Sequence, residues 1–383
     1  MKAIALTGGL ELQKVDLINA EMPGRRYPGD VLVRVLSVGL DGTDREIITS
    51  GYGVMPEGED KLIIGHEMLG VVMEADKGTG FRAGDLVTAL VRRPCRDYSC
   101  ASCRNGQQDF CESGQYTERG IRAAHGYLSE YIVEDSRYLV KVPADCAAYG
   151  VLIEPQSIVE KVWNQVLRIQ QRLIWQPQAA LIAGSGPLGL LTALACRSLG
   201  LDTHVWSKSP SDSVNAELVR QCGAVYAEAR DEGETLTEYA TAAGQTFDML
   251  WECSGHTPYI FEGMRLLASN GVLAMLGVSA GDRHIRIPAD LINQEIVLRN
   301  KCVIGSVNAS RKDFETGIHR LEEIERQFPG ILQGLMTERM LIDEVPGIDF
   351  ATIRIKAVVD LAPPSEWPGL IHAECRPRYS FSV

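Results

Sequence analysis

An α/β chain with a parallel, doubly wound sheet and a second, β-rich domain is what the sequence predicts, on three observations. The stretch AALIAGSGPLGLLTALACRSL, Ala179 to Leu199, joins five uncharged residues to an apolar helix pattern through Gly184, Gly186 and Gly189. Strand and helix patterns alternate behind it: strands at Thr203–Trp206, Phe247–Glu252 and Val272–Leu276, helices near Val214–Cys222 and Tyr259–Ala268. Ahead of it lie glycines and short apolar runs, Val31–Val38, Leu69–Met73, Leu86–Val91 and Tyr131–Val133, with no helix-period segment of comparable strength.

Taken in order, the N-terminus MKAIALTGG enters a strand pattern directly, without a signal-like charged and apolar stretch. Residues to about Tyr149 fit a small barrel-like domain. The composition changes near Val151, Ile158 to Trp175 has helical periodicity, and the cofactor domain runs from Ala179 to about Asn308. A helical pattern at Ser310–Gln327 follows. The tail, with Ile353–Val359 as a strand, returns to the first domain. The expected division is 1–158 with 309–383, and 159–308.

The glycine stretch reads as the dinucleotide-binding turn of a Rossmann domain. Gly184 permits the bend, Gly186 lets the backbone approach a pyrophosphate at the helix N-terminus, and Gly189 lets the helix lie on the strand. Gly184, Ser185, Gly186, Pro187, Leu188 and Gly189 are therefore candidate cofactor-binding residues. An NAD site carries an acid about 20 residues past the first glycine. Here Trp206 is followed by Ser207, Lys208 and Ser209, and Asp202 precedes Thr203 at the wrong end of the strand. A lysine between two hydroxyls suits a 2′-phosphate, which favours NADP over NAD.

Length and charge narrow the class. With 383 residues the chain suits two domains, and a net charge of −12 without a basic patch argues against a nucleic-acid partner. No apolar run reaches the roughly 18 residues that a membrane span needs, so a cytoplasmic location without a membrane partner is expected. Of the 10 cysteines, Cys95, Cys100, Cys103 and Cys111 cluster, which points to metal. Cys146, Cys196, Cys222, Cys253, Cys302 and Cys375 are scattered through apolar or helical patterns and read as buried, inert thiols.

Three further blocks carry possible metal ligands: Asp41 in GLDGTD, His66 with Glu67 in GHEMLGVV, and Glu154 in VLIEPQSIVEK. One nitrogen and two or three carboxylates can make a catalytic zinc site with a position left for substrate. Each carboxylate also reads as an ordinary loop charge, because the spacing fixes no mutual geometry.

The order of these blocks, with the glycine-rich fold behind them, resembles the medium-chain zinc dehydrogenases and, within them, the archaeal-type glucose dehydrogenases. The closer likeness lies in GLDGTDREI at Gly39–Ile47, YGVMPEGEDKLIIGHE at Tyr52–Glu67, VRRPC at Val91–Cys95, GQQDFCESGQYTERGI at Gly106–Ile121 and GSVNAS at Gly305–Ser310. The resemblance implies a GroES-like catalytic domain for the β-rich part. It implies that Asp41 stands where many relatives have a zinc-binding cysteine, that His66 and Glu154 complete the ligand set, and that Glu67 reaches the metal during turnover. Thr43 matches the hydroxyl relay for the substrate proton. An aspartate oxygen is harder than thiolate, so the zinc would be a stronger Lewis acid held less tightly.

The four clustered cysteines match a structural zinc lobe, although four residues, Arg96 to Ser99, separate the first pair where two are common. Glu118 in YTERG and Glu154 match positions that face the sugar, and Asn308 matches an asparagine near the nicotinamide and substrate. Leu298 departs from relatives that carry histidine there. The implied activity is oxidation of an aldose, foremost D-glucose, at C1 to the 1,5-lactone, with zinc and NADP or NAD. A polyol or secondary-alcohol dehydrogenase and a silent NADPH-binding paralogue are the rivals. Edge pairing of Lys301–Val307 in two subunits would give a homodimer or homotetramer.

Overall fold

Apolar runs bounded by glycine-containing turns become a parallel sheet where a helix follows each run, and this happens six times from Ala179 onward. A computed structural model describes residues 1–8, 14–50, 53–229, 234–279 and 281–371, apart from the Ser50 side chain. The six strands are Ala179–Ala183, Asp202–Ser207, Val225–Glu228, Phe247–Glu252, Leu267–Met275 and Cys302–Gly305. Counted along the chain their order across the sheet is 3-2-1-4-5-6, all parallel, so the chain reverses direction beside Ala179–Ala183. That switch point is where doubly wound sheets bind ligands. Leu181, Ala183, Trp206, Phe247, Leu250 and Leu273 form its core. Each leucine or phenylalanine among them contributes about 1.5–3 kcal/mol when fully buried.

The first part of the chain builds a seven-stranded sheet around Asp30–Leu40, which pairs with Glu67–Ala75, Tyr131–Asp135 and Ala357–Asp360. The alternating burial of Asp30–Leu40 gives way to continuous burial from Val35, as a strand covered on both faces requires. By contact the chain forms two units, one of Met1–Ser157, Asn308–Leu321 and Met336 onward, the other of Ile158–Val307 and Glu322–Leu335.

Several elements differ from expectation. The helix read at Ile158–Trp175 spans Ile153–Gln170: Pro155 is tolerated in its first turn, and a turn at Gln171–Arg172 ends it before Trp175. This earlier start places Glu154 at the helix N-terminus. The strand read at Ile353–Val359 is only Ala357–Asp360, because the Thr337 hydroxyl takes the Ile355 N–H (3.0 Å) that a ladder would need. It does return to the first sheet, with Ala357 opposite Leu40. Cys146, Cys196 and Cys222 are buried, whereas Cys253 and Cys302 are half-buried at strand ends; Cys375 lies outside the described residues, as does Tyr52. Among the described residues no helix is long and apolar enough to cross a membrane.

The β-rich unit is pinned by a buried carboxylate. Glu134 Oε2 accepts from Arg93 Nη2 (2.6 Å) and Arg119 Nε (3.0 Å), and Oε1 accepts from the Asp135 N–H (3.1 Å). Burial alone raises its pKa, but the two guanidiniums win and hold it below the usual carboxylate range. A depressed folded-state pKa contributes stability above the unfolded value, near 4.5, that is lost as pH falls through the folded one. Glu134→Gln should therefore cost about 3 kcal/mol in denaturant unfolding near neutral pH. The gap from the parent should close as pH drops below about 4.5, and a pH-independent gap would contradict the assignment.

Candidate metal and substrate site

Asp41 follows directly on the strand Asp30–Leu40 and caps the helix Gly42–Ser50: its Oδ1 accepts from the N–H groups of Thr43 (2.8 Å) and Asp44 (3.0 Å). The cap is returned, since Asp44 Oδ2 accepts from the Asp41 N–H (3.2 Å). This D-x-x-D box fixes both carboxylates, and His66 lies between them. Its Nε2 is 3.6 Å from Asp41 Oδ2, and its Nδ1 is 3.7 Å from Asp44 Oδ2. Both separations exceed hydrogen-bond length. Two nitrogen or oxygen ligands on one tetrahedral zinc, with bonds near 2.0–2.1 Å, stand about 3.4 Å apart. The Asp41–His66 separation fits a shared metal, and Asp44 on the other ring nitrogen fits the carboxylate that orients a metal-bound histidine.

The remaining predicted ligands converge on the same imidazole. Ligand atoms of His66, Glu67 and Glu154 lie within 4.8 Å of one another, as do those of Asp41, Asp44 and His66. Thr43 Oγ1 donates to Asp41 Oδ2 (3.3 Å), the oxygen that faces His66. Glu67 is also paired with Lys356, a fully buried cation. Gly39 makes that pair possible, for a Cβ there would fall 2.2 Å from Glu67 Oε2 and 2.8 Å from Lys356 Cε.

Four carboxylates thus surround one imidazole and one ammonium. Burial pushes Glu67 up to about 7 against the pull of Lys356, and burial pushes Glu154 up to about 8 against the pull of His66. His66 is itself lowered by burial but raised well above its ordinary range by Asp41 and Asp44. Asp41, although raised by burial, is held low by His66. Among the described residues, His66 Nδ1 and Asp44 Oδ1 are buried without a hydrogen-bond partner. A divalent cation supplies the positive charge that this donor set lacks, so zinc fits the residues present.

The cysteine lobe also closes. Cys95, Cys100, Cys103 and Cys111 place their sulfurs within 4.8 Å of one another, and Cys100 Sγ is 4.0 Å from Cys111 Sγ. Thiolates on one zinc at about 2.3 Å stand about 3.8 Å apart. The lengthened first step is absorbed by a turn in which Asp97 Oδ1 accepts from Ser99 N (2.8 Å) and its carbonyl accepts from Cys100 N (3.1 Å).

Glu118 and Asn308 meet: Asn308 Nδ2 donates to Glu118 Oε1 (3.1 Å), with the asparagine backbone in the left-handed region at φ 61°. The turn that carries Glu118 is seated beside the candidate ligand His66, since a Cβ on Gly120 would fall 2.4 Å from the carbonyl oxygen of Gly65, the residue before it. Asn308 therefore sits with the substrate candidates. Leu298, in the other unit, is 78% exposed.

In the parallel sheet Gly184 has φ 110°, and a Cβ on Gly189 would lie 2.2 Å from Gly184 O, so the helix Pro187–Ser198 rests on the turn. Gly186 faces open space, and Pro187 and Leu188 begin the helix. Ser185 Oγ lies 2.8 Å from Ser207 Oγ and 3.2 Å from Ser209 Oγ, with Lys208 exposed between the latter two. Three hydroxyls thus gather at the ends of the first two strands, on the turn that also carries Lys208.

Asp44, Lys356 and Arg92, which pairs with Glu118, were not singled out from the sequence. The first had a signal, an acid three residues after an acid at a helix start. Lys356 had a weaker one, a lone charge in the run IKAVV. Arg92 had none beyond its place in VRRPC.

A histidine–carboxylate metal set in a β-rich unit, carried by the same chain as a dinucleotide-type sheet, defines a zinc-type medium-chain dehydrogenase. Residues 27–144 match the alcohol dehydrogenase GroES-like domain, and residues 147–361 match the glucose dehydrogenase C-terminus. The chain is 41% identical over 346 residues to glucose 1-dehydrogenase of Methanocella arvoryzae, covering 90% of this chain and 95% of that one. It is 38% identical over 366 residues to glucose 1-dehydrogenase 1 of Caldivirga maquilingensis, covering 95% and 99%. The glucose dehydrogenase of Haloferax mediterranei, solved in complex with NADP, Zn and gluconolactone, superposes with a TM-score of 0.86 at 33% identity, over 95% of this chain and 100% of that one. The chain belongs to the glucose dehydrogenase family.

Lys356 gives a direct test of the charge balance. Replacing it by methionine leaves Glu67 buried without a counter-charge, which should cost about 3–5 kcal/mol in chemical unfolding of the metal-free protein. Adding Glu67→Gln should restore most of that loss. An additive double variant would contradict the pairing.

Proposed function

We propose that the protein is a zinc- and NADP-dependent glucose 1-dehydrogenase, oxidising an aldose, D-glucose foremost, at C1 to the 1,5-lactone with hydride transfer to NADP. The observation that carries this reading is that His66 gathers Asp41 at 3.6 Å and, in a second grouping, Glu67 and Glu154, in a chain of the glucose dehydrogenase family. Asp41, His66 and Glu154 would hold zinc, with Glu67 beside them. When bound, the metal lowers the pKa of the anomeric hydroxyl and the nicotinamide accepts the hydride.

The chain's own residues do the rest. Asp41, locked as a helix cap, keeps its ligand oxygen in place before substrate arrives, and Asp44 stands at the other ring nitrogen of His66, where it would orient the metal-bound ring. Thr43, hydrogen-bonded to Asp41, takes the proton leaving the anomeric hydroxyl and passes it towards solvent. Glu118 accepts hydrogen bonds from sugar hydroxyls, and Asn308 holds that carboxylate in place. A carboxylate that expects hydroxyls discriminates strongly against an analogue lacking them. Ser185, Ser207, Lys208 and Ser209 would take the 2′-phosphate of NADP, and the Gly184–Gly189 turn with the N-terminus of Pro187–Ser198 would take the pyrophosphate.

The setting we infer is cytoplasmic, supported by nine described cysteines of which none is in a disulfide. We also infer a homodimer or homotetramer. Cys302–Gly305 is an edge strand of the parallel sheet, with one ladder side available to the same strand of a second copy. Sedimentation should show a species at least twice 42.0 kDa, and a monomer at all concentrations would reject it.

The function is tested by initial rates of NADP and NAD reduction over glucose, galactose, xylose and a polyol panel, before and after chelation. Aldose turnover that prefers NADP and is abolished by chelator is expected. Turnover of polyols alone, or none with any substrate, would overturn the reading.

A further inference from the structure

We propose that Arg92 is a positioning residue for sugar recognition: it pins one oxygen of Glu118 so that the other is presented to substrate hydroxyls. The inference rests on the aldose reading above. Arg92 and Glu118 are direct partners in a short antiparallel ladder, so their side chains share a face. Arg92 Nε and Nη2 both reach Glu118 Oε1, each at 3.0 Å, and Asn308 Nδ2 arrives on the same oxygen at 3.1 Å. Among the described residues no hydrogen bond falls on Oε2. One oxygen is saturated and its twin is left to accept.

The guanidinium is itself immobilised. It is 5% exposed, its Nη1 donates to the Asp109 carbonyl (3.2 Å), and its Cζ lies 3.7 Å over the Tyr116 ring. Asp109 and Tyr116 stand on either side of Cys111, so the cysteine lobe braces the arginine that braces the carboxylate. A planar fork that grips one oxygen, donates sideways and stacks on a ring cannot be copied by a lysine point charge. Without the arginine, Glu118 would keep only the Asn308 amide on that oxygen and would hold its orientation less firmly. The tie of Gly120 to Gly65 keeps this pair at the metal side of the unit.

The test uses the full-length holoenzyme and steady-state kinetics. Arg92→Met is expected to raise KM for glucose by about tenfold or more, the size of loss seen when a hydrogen-bonding site is loosened, with kcat changed less than about threefold and KM for NADP unchanged. The ratio of kcat/KM for glucose over a panel of mono-deoxyglucoses should fall for at least one analogue, because a loosened carboxylate no longer rejects the missing hydroxyl. Arg92→Lys, which keeps charge and bulk, should show the same pattern to a smaller extent and serves where the methionine variant does not fold. In a Glu118→Gln background the arginine change should add little.

Multiplicative losses in the double variant, or equal falls in kcat and in NADP binding with deoxy-sugar ratios intact, would overturn the role of Arg92 alone. A parent enzyme without aldose turnover would overturn the proposed function and this inference with it.

Discussion

The constraint on which the site depends is a buried excess of negative charge. Asp41, Asp44, Glu67 and Glu154 are grouped around His66, and the buried ammonium of Lys356 faces Glu67. Taking that many carboxylates out of water costs several kcal/mol each unless they are paired or protonated, which is why Glu67 and Glu154 are driven towards neutral pH as they stand. A bound dication reverses this balance. The same low-polarity surroundings that penalise the free acids strengthen their hold on a metal, and they strengthen the metal's pull on a substrate hydroxyl.

Much of the surrounding architecture serves to hold these charges still. The box between Asp41 and Asp44 uses a helix start to lock two acids, and the glycine at 39 leaves room for the Glu67–Lys356 pair. The C-terminal strand Ala357–Asp360 pairs with Asp30–Leu40, and this pairing delivers Lys356 from more than 300 residues downstream of the strand it lies beside. Gly65 and Gly120 approach each other more closely than any side chain would permit, which joins the candidate metal ligands to the turn bearing Glu118.

What was legible in the sequence was local. The strand Ala179–Ala183 and the helix after it were readable because the glycine signature is fixed by contacts within a few residues: Gly184 must turn and Gly189 must clear its carbonyl. His66, Asp41 and Glu154 were readable only through family likeness, since nothing in their spacing predicts that three separate segments meet. Lys356 and Arg92 were not readable, because their partners are set by strand pairing across long stretches of chain. The lengthened cysteine spacing looked like a defect and is a turn around Asp97.

X-ray absorption at the zinc edge, taken on the zinc-loaded protein and on a His66→Ala variant, tests the charge-driven metal site most directly. Two zinc ions per chain are expected, one in a shell of four sulfurs near 2.3 Å and one in a shell of nitrogen and oxygen near 2.0–2.1 Å, with the variant losing only the second. A single sulfur-bound zinc in the parent protein, or a light-atom shell that survives loss of His66, would contradict the account.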